Sequence, residues 1–207
     1  MRKPVILGNP QMEDCFETLI ASYIATKVGV VENFLSIPLQ KQLEDHLHQL
    51  HNNNLLAPAG IGNIQKLQQN QAVRKDQIHW LDRTNNCSFE NAFLNQMEAF
   101  IAYLNESCYA GITGYEFHYS FYEKGAFYRK HLDQFQDNSS RQFSLISYLN
   151  PKWKLEDGGE LSVFQNEIWQ NIAPTGGKTV LFKSNEIWHE VLVTQKPRLS
   201  ITGWLKR

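Results

Sequence analysis

The sequence predicts an α+β fold in which N-terminal helices support about eight short strands, arranged as a double-sheet jelly roll or barrel. In the first half, apolar residues recur at intervals of three and four, which is the period of an amphipathic helix. After residue 111, short alternating runs follow one another, punctuated by Gly, Pro and Asn. Helices gathered before strands are typical of α+β proteins, and such closely spaced strands are typical of jelly rolls.

Length and composition favour one globular domain over residues 1–207. Hydrophobic residues make up 42% of the chain and charged residues 20%, and the formal net charge of −1 gives no electrostatic reason to expect nucleic acid or an anionic membrane as a partner. Three cysteines without a CxxC pair indicate a reducing compartment. We find neither a secretory signal nor a membrane-spanning run, so we expect a cytoplasmic protein.

Three helices are predicted in the first half. Residues 11–27 carry one apolar stripe, and a short strand at 30–35 follows. Ser36 is placed to cap the second helix, with Pro38 in its first turn. Residues 89–104 form the third helix, whose aromatic and aliphatic side chains face inward.

Histidines on the second helix suggest a metal site at first sight. His46 and His48 are two residues apart, however, and on a helix such positions point about 200° apart. They cannot share one ion, so we interpret these histidines and His51 as part of a solvent-exposed helix face.

A long loop is predicted over residues 57–71, which are rich in Pro, Gly, Asn and Gln. Long loops in compact domains often close over a substrate. Residues 73–81 then return to strand character.

The second half consists of predicted strands. In residues 115–122 the odd-numbered side chains are aromatic and should pack on the helices, whereas the even-numbered ones, from Glu116 to Tyr122, should line a polar pocket. The predicted strands are 112–122, 127–133, 142–149, 159–164, 168–173, 178–183, 187–193 and 198–205.

A candidate metal site lies in this half. His131 and Asp133 are two residues apart, so on an extended strand they share one face. His189 lies in a second strand, flanked by apolar residues. Two histidines and one carboxylate form the facial triad that binds non-haem Fe(II) and leaves coordination positions open. A polar pair at a strand end and a buried core histidine are the alternative interpretations.

Arg198 strengthens the metal hypothesis. It lies on a predicted strand in a position that faces inward, where an unpaired guanidinium would be very costly. A dicarboxylic cosubstrate that binds the metal with one end could pair with Arg198 through its other end. One molecule would then explain both the metal triad and the buried charge.

Several motifs in order resemble the Fe(II)/2-oxoglutarate-dependent oxygenases of the prolyl 4-hydroxylase family, in particular the hypoxia-inducible-factor prolyl hydroxylases and their small bacterial relatives. The resemblance covers about residues 28–207, and residues 1–27 lie outside it. It implies a double-stranded β-helix, or jelly roll, with a metal at one mouth. The motifs are Arg74-Lys-Asp76-Gln-Ile-His-Trp80, Tyr122…Gly125…Tyr128…His131-x-Asp133, Ser147-Tyr148-Leu-Asn-Pro-Lys-Trp153, Gly158-Gly-Glu-Leu, Trp188-His189-Glu-Val and Arg198-x-Ser-Ile-Thr202-x-Trp204.

The resemblance implies roles for the site residues. His131, Asp133 and His189 correspond to the iron ligands. By the same resemblance, Arg198 and Tyr148 bind the distal carboxylate of 2-oxoglutarate. Thr202 shares a strand face with Arg198 and could assist. Tyr122 corresponds to a tyrosine that lines the pocket, and together with Arg198 it is predicted to be catalytic.

On the substrate side, Trp204 resembles an aromatic residue near a bound prolyl peptide. The loop before Arg74 corresponds to a loop that closes over substrate, and Asp76 with Arg141 resembles a charged pair that holds it. The segment from Asp133 to Arg141 looks one residue longer than in the family, and the one from Tyr122 to Tyr128 one residue shorter than in the animal enzymes.

The function implied is hydroxylation of a prolyl residue in a protein, with Fe(II), 2-oxoglutarate and O2, and with succinate and CO2 as co-products. Ascorbate is a candidate supporting reductant. If the host is bacterial, elongation factor Tu is a candidate substrate. Hydroxylation of free proline or another small molecule is the first alternative, and a non-catalytic 2-oxoglutarate or oxygen sensor is the second.

Overall fold

Three α-helices are present in the computed structural model, which describes residues 10–60, 72–134 and 139–207. They are α1 (Pro10–Thr26), α2 (Ile37–Asn52) and α3 (Ser88–Cys108). The Ser36 side chain accepts a hydrogen bond from the amide of Leu39, which confirms the predicted cap of α2. Among the described residues, no helix is long and apolar enough to cross a membrane.

Eleven strands are described, and all ladders between them are antiparallel. Seven form one sheet, in the order β1-β9-β6-β11-β4-β3-β2, and four form a second sheet, in the order β5-β10-β7-β8. The predicted α+β jelly roll is therefore confirmed. The strands are β1 (Val28–Val31), β2 (Ala57–Pro58), β3 (Gln77–Trp80), β4 (Gly114–Tyr122), β5 (Tyr128–His131), β6 (Arg141–Tyr148), β7 (Leu161–Gln165), β8 (Ile168–Ile172), β9 (Thr179–Lys183), β10 (Trp188–Val191) and β11 (Arg198–Lys206).

The helices pack on one face of the seven-stranded sheet. Strand β4 has side chains on both faces of this sheet. On the helix side, Phe117, Tyr119 and Phe121 are buried in the main core with residues of all three helices. The even-numbered residues of β4 line the cavity on the other side of the sheet. The predicted division of this strand into an aromatic and a polar face is confirmed.

A close contact joins α1 to β1, which begins at Val28 and not at residue 30 as predicted. Helix α1 ends at Thr26, before Gly29, and Gly29 lies within β1. A Cβ at Gly29 would lie 2.6 Å from the carbonyl oxygen of Leu19, so this position accepts only glycine without a shift of the helix. Glycine here permits close packing and does not end the helix.

Other predictions need correction. The loop predicted at 57–71 begins with β2, which pairs with β3, and residues 61–71 lie outside the described residues. Two histidines of α2 are packed against aromatic rings instead of forming a solvent-exposed face. The ring centroid of His51 is 4.0 Å from that of Phe121, and the ring centroid of His46 is 5.0 Å from that of Phe89.

We predict that α1 is an integral part of the core. Phe16 is fully buried against the rings of Phe34 and Phe100, so Phe16→Ala should lower the free energy of unfolding by about 3–5 kcal/mol. Ile24, on the same helix, is 66% exposed, and Ile24→Ala should change it by less than about 0.5 kcal/mol. Urea denaturation measures both values, and equal effects would contradict this prediction.

Candidate active site

Two strands of the smaller sheet bring the predicted metal ligands together. His131 ends β5, and His189 lies directly opposite it on β10. Facing residues of an antiparallel pair project from the same face of the sheet, so both imidazoles point to one side. Asp133 follows two residues after β5, where its amide donates to the carbonyl oxygen of Ser184 at 3.1 Å.

The three side chains surround one point. Nε2 of His131 lies 3.5 Å from Oδ1 of Asp133, and Nε2 of His189 lies 3.6 Å from Oδ2. One ligand atom from each residue lies within 4.8 Å of the other two. Two imidazole nitrogens and a carboxylate oxygen in this arrangement fit a divalent non-haem iron and would leave the opposite positions open.

Hydrogen bonds fix both imidazoles in orientation. Nδ1 of His131 contacts the carbonyl oxygen of Arg129 at 2.7 Å, and Nδ1 of His189 contacts that of Ile187 at 3.0 Å. Because a carbonyl only accepts, Nδ1 carries the proton and the lone pair of each ring is on Nε2, the atom that faces Asp133. The rings therefore present the tautomer that a metal requires.

Charge states in the site also fit a metal. Burial lowers the pKa of His189 to about 4, so this ring is neutral near pH 7. Burial would raise the pKa of Asp133, but His189, His131 and the Ser144 hydroxyl together hold it well below its usual range. The Ser144 hydroxyl donates to Oδ2 of Asp133 at 2.6 Å. The carboxylate is thus ionised and oriented.

Arg198 is 1% exposed and lies close to the triad in the same cavity. Its Nε donates to the carbonyl oxygen of Gly159 at 2.7 Å, and its guanidinium lies 4.9 Å from the ring centroid of Tyr122 and 5.1 Å from that of Tyr148. Within the described parts of the chain, no carboxylate forms an ion pair with Arg198. A buried cation without a protein anion fits a site for an anionic ligand.

Two further features complete this anion site. Burial raises the pKa of Tyr148 to about 12 although the neighbouring Arg198 lowers it, and among the described residues the hydroxyl makes no hydrogen bond of good geometry. Gly159 has a φ of +68°, and a Cβ there would lie 3.1 Å from Cδ of Arg198. The glycine therefore lets its own backbone approach the arginine closely.

A cavity of about 1040 Å³ connects the triad to the protein surface. Two of the predicted site residues, Tyr148 and Asp76, are buried but do not line this cavity. Trp80, which is 47% exposed, stands at the rim, and its ring centroid lies 6.4 Å from that of Trp204. The predicted site residues that line the cavity are His131, Asp133, His189, Arg198, Tyr122, Thr202, Trp204, Arg74 and Arg141.

The predicted pair of Asp76 and Arg141 is wrong. Both carboxylate oxygens of Asp76 accept from Arg74, at 2.7 and 2.6 Å. Arg141 instead binds Glu116, with Nε and Nη2 at 2.9 and 2.8 Å from Oε1, and its guanidinium lies 3.3 Å from the ring centroid of Trp204. Arg74 is only two residues from Asp76, so this short-range bidentate pair occupies the carboxylate.

Sequence reasoning missed several residues that orient the site. Ser144 holds Asp133, and its hydroxyl lies 2.9 Å from that of Ser184. The carbonyl oxygen of Gly159 holds Arg198. The alternation of β6 was an available signal, since Ser144 is four residues before Tyr148 and so shares its face.

Comparisons with known proteins agree with this geometry. Residues 117–206 match the model of the 2OG-Fe(II) oxygenase superfamily. A prolyl-4-hydroxylase from Pseudomonas putida is 30% identical, with a TM-score of 0.83, and the match covers 93% of this chain and 98% of that one. The chain belongs to the 2OG-Fe(II) oxygenase superfamily. This confirms the resemblance found in the sequence, and the family implies Fe(II), 2-oxoglutarate and O2.

More distant structures share the fold of this oxygenase. A prolyl hydroxylase from Trichoplax adhaerens, solved with a peptide fragment of hypoxia inducible factor, is 21% identical with a TM-score of 0.84, over 95% of this chain and 90% of that one. A viral collagen prolyl hydroxylase from Paramecium Bursaria Chlorella virus-1 is 16% identical with a TM-score of 0.60, over 88% and 97%. The enzyme is thus prolyl hydroxylase-like in structure.

We predict that Asp133→Ala abolishes Fe(II) binding, because it removes the only anionic donor of the triad described above. Wild-type protein mixed with Fe(II) and 2-oxoglutarate without oxygen should show a visible charge-transfer band, and the variant should show none. His131→Ala should also lose the band. Asp14→Ala, at an exposed position of α1, should keep it. A wild-type protein without the band would refute the metal site.

Proposed function

We propose that this oxygenase hydroxylates a prolyl residue in a protein substrate. One observation carries the proposal: a triad of metal-binding donors shares its cavity with Arg198, a buried cation that no carboxylate of the described residues neutralises. A metal and a dicarboxylate would satisfy both groups together.

In this proposal, Nε2 of His131, Nε2 of His189 and the Asp133 carboxylate hold Fe(II). When bound, Fe(II) with 2-oxoglutarate and O2 supplies the oxidising chemistry, and succinate and CO2 are the co-products. The protein contributes orientation and exclusion of water. Ser144 fixes the carboxylate, and the backbone carbonyls at 129 and 187 fix the two rings.

Arg198 is proposed to pair with the distal carboxylate of 2-oxoglutarate through its two terminal nitrogens, since Nε is already bonded to Gly159. Tyr148, whose hydroxyl is neutral, would donate to the same carboxylate. Thr202 lines the cavity on β11, four residues from Arg198, and its hydroxyl could donate as well. Tyr122 lines the cavity and packs beside Arg198.

A protein substrate fits the cavity better than a metabolite. Its volume of about 1040 Å³ is at the upper end of the range of about 300–1,000 Å³ for small-molecule sites, so 2-oxoglutarate would leave room for a peptide segment. Trp80, which is 47% exposed, offers a flat apolar surface to a proline ring, whereas the Arg141 guanidinium covers one face of the buried Trp204. The 30% identity to a bacterial prolyl-4-hydroxylase supports proline as the target.

We propose elongation factor Tu as the first substrate to test if the host is bacterial. Ascorbate is proposed as a supporting reductant for the assays. Free proline is the competing substrate. The three cysteines among the described residues are free thiols, which favours a reducing compartment such as the cytoplasm.

We predict that Arg198→Ala raises the concentration of 2-oxoglutarate needed for half-maximal activity. Each charge-assisted hydrogen bond lost is worth about 1.5–3 kcal/mol, which corresponds to roughly 10- to 150-fold. Fe(II) affinity should remain nearly unchanged, because Arg198 binds none of the three metal donors. Titration of 2-oxoglutarate at saturating Fe(II) measures the shift.

Arg129→Ala is the matched control, because Arg129 is exposed on β5 and its guanidinium lies over the ring of Phe127. This variant should need the same amount of 2-oxoglutarate as the wild type. If Arg198→Ala weakened Fe(II) binding as strongly as 2-oxoglutarate binding, Arg198 would have a structural role instead.

The substrate class is testable directly. After incubation with host lysate, Fe(II), 2-oxoglutarate and O2, peptide mass spectrometry should find one added oxygen atom on a prolyl residue. Lysate treated with Asp133→Ala should not show it. Turnover of free proline without any modified peptide would support the small-molecule alternative.

A further inference from the structure

A second cluster of metal-binding side chains lies away from the oxygenase cavity. We call His46, Cys87 and Glu90 the helix-side cluster. One ligand atom from each lies within 4.8 Å of the other two, as in the triad. His46 is on α2, Cys87 directly precedes α3, and Glu90 is in the first turn of α3. None of the three lines the oxygenase cavity.

Glu90 is the unusual member of this cluster. It is 1% exposed, and neither of its carboxylate oxygens has a hydrogen-bond partner among the described residues. The buried hydroxyl of Tyr119, on the helix side of β4, faces this carboxylate, but the contact between them lacks the geometry of a well-formed hydrogen bond. Buried polar atoms are almost always satisfied, so a group of three unsatisfied oxygens at one place indicates a missing ligand.

Charge supports the same conclusion. A carboxylate that is buried to this degree needs a compensating cation nearby. The ring of His46 is the nearest basic group, with Nε2 3.4 Å from Oε1 of Glu90. That distance is longer than the usual 2.7–3.2 Å of an N–H···O hydrogen bond, and the contact does not satisfy the carboxylate.

The spacing fits two ligands of one ion. Nitrogen and oxygen ligands of tetrahedral zinc lie about 2.0–2.2 Å from the metal, which places them about 3.3–3.5 Å from each other. The value of 3.4 Å between His46 and Glu90 falls in this range. Imidazole, thiolate and carboxylate are also the three side-chain types that zinc prefers.

We propose that the helix-side cluster is a structural Zn²⁺ site formed by Nε2 of His46, Sγ of Cys87 and the Glu90 carboxylate. Binding releases the thiol proton of Cys87 to solvent, and the ion with one thiolate, one carboxylate and one neutral imidazole carries no net charge. A neutral site suits a buried position. The Tyr119 hydroxyl or a water supplies the fourth ligand or a hydrogen bond to the carboxylate.

The position of the site gives it a structural role. It joins α2 to the beginning of α3, directly against β4 at Tyr119. The preceding residue of β4, His118, lines the oxygenase cavity on the opposite face. A zinc ion here would therefore clamp the helices to the back of the strand that forms one cavity wall, without contact with the reacting groups.

Cobalt substitution separates this site from the triad, because the triad contains no sulfur. Metal-free protein titrated with Co²⁺ should develop a thiolate-to-cobalt charge-transfer band in the near ultraviolet. Cys87→Ser should lose the band, whereas Cys108→Ser, which removes an exposed thiol outside the cluster, should keep it. Asp133→Ala should keep it too, since it disrupts only the triad. A failure of the triad assignment would thus leave this result unchanged.

Zinc content and stability provide a second readout. The Asp133→Ala variant should bind one Zn²⁺ per chain. A free Zn²⁺ concentration of about one hundred times the Kd should raise its Tm by about 5–10 °C. Glu90→Gln keeps the size of the side chain, and it should lose both effects while remaining folded by circular dichroism.

Absence of the thiolate band in folded wild-type protein would overturn the proposal, as would a band that persists in Cys87→Ser. If Cys87→Ser does not fold, His46→Gln is compared with the wild type in its place. This variant removes the nitrogen donor of the cluster and leaves the thiol in place.

Discussion

The register between β5 and β10 is the constraint on which the active site depends. It places His131 directly opposite His189, so that two residues far apart in the chain present their rings on one face. A shift of one residue would turn one imidazole to the other face of the sheet. Backbone carbonyls at Nδ1 and the Ser144 hydroxyl then fix the donors, so that the metal site is formed before any ion arrives.

Arg198 imposes the second constraint, because a buried guanidinium must be compensated. Strand β11 holds it in the centre of the seven-stranded sheet, between β4 and β6, which carry the two tyrosines beside it. Gly159 supplies a carbonyl but no charge. In the proposed function, 2-oxoglutarate supplies the remaining stabilisation, so that its binding is coupled to a favourable electrostatic state of the site. The proposed metal and cosubstrate residues thus reside on different sheets and meet in one cavity.

Strand β4 connects this cavity with the rest of the molecule. Its even-numbered side chains line the cavity, and its odd-numbered ones pack into the helix layer, where Tyr119 adjoins the helix-side cluster. Because successive side chains of a strand point to opposite faces, β4 contributes both to the cavity wall and to the helix-side core. The proposed zinc site would therefore act on the cavity wall only through the backbone of β4.

The fold class, the faces of β4, the cap of α2 and the candidate triad could all be predicted from the sequence, because periodicity and capping are local properties and the motifs stand in a characteristic order. The pairing of charges became clear only from the folded chain. Asp76 binds Arg74 and not Arg141, and the α2 histidines lie against rings, because partners in space depend on packing between distant segments. The same holds for Ser144 and for Glu90, whose burial no local pattern reveals.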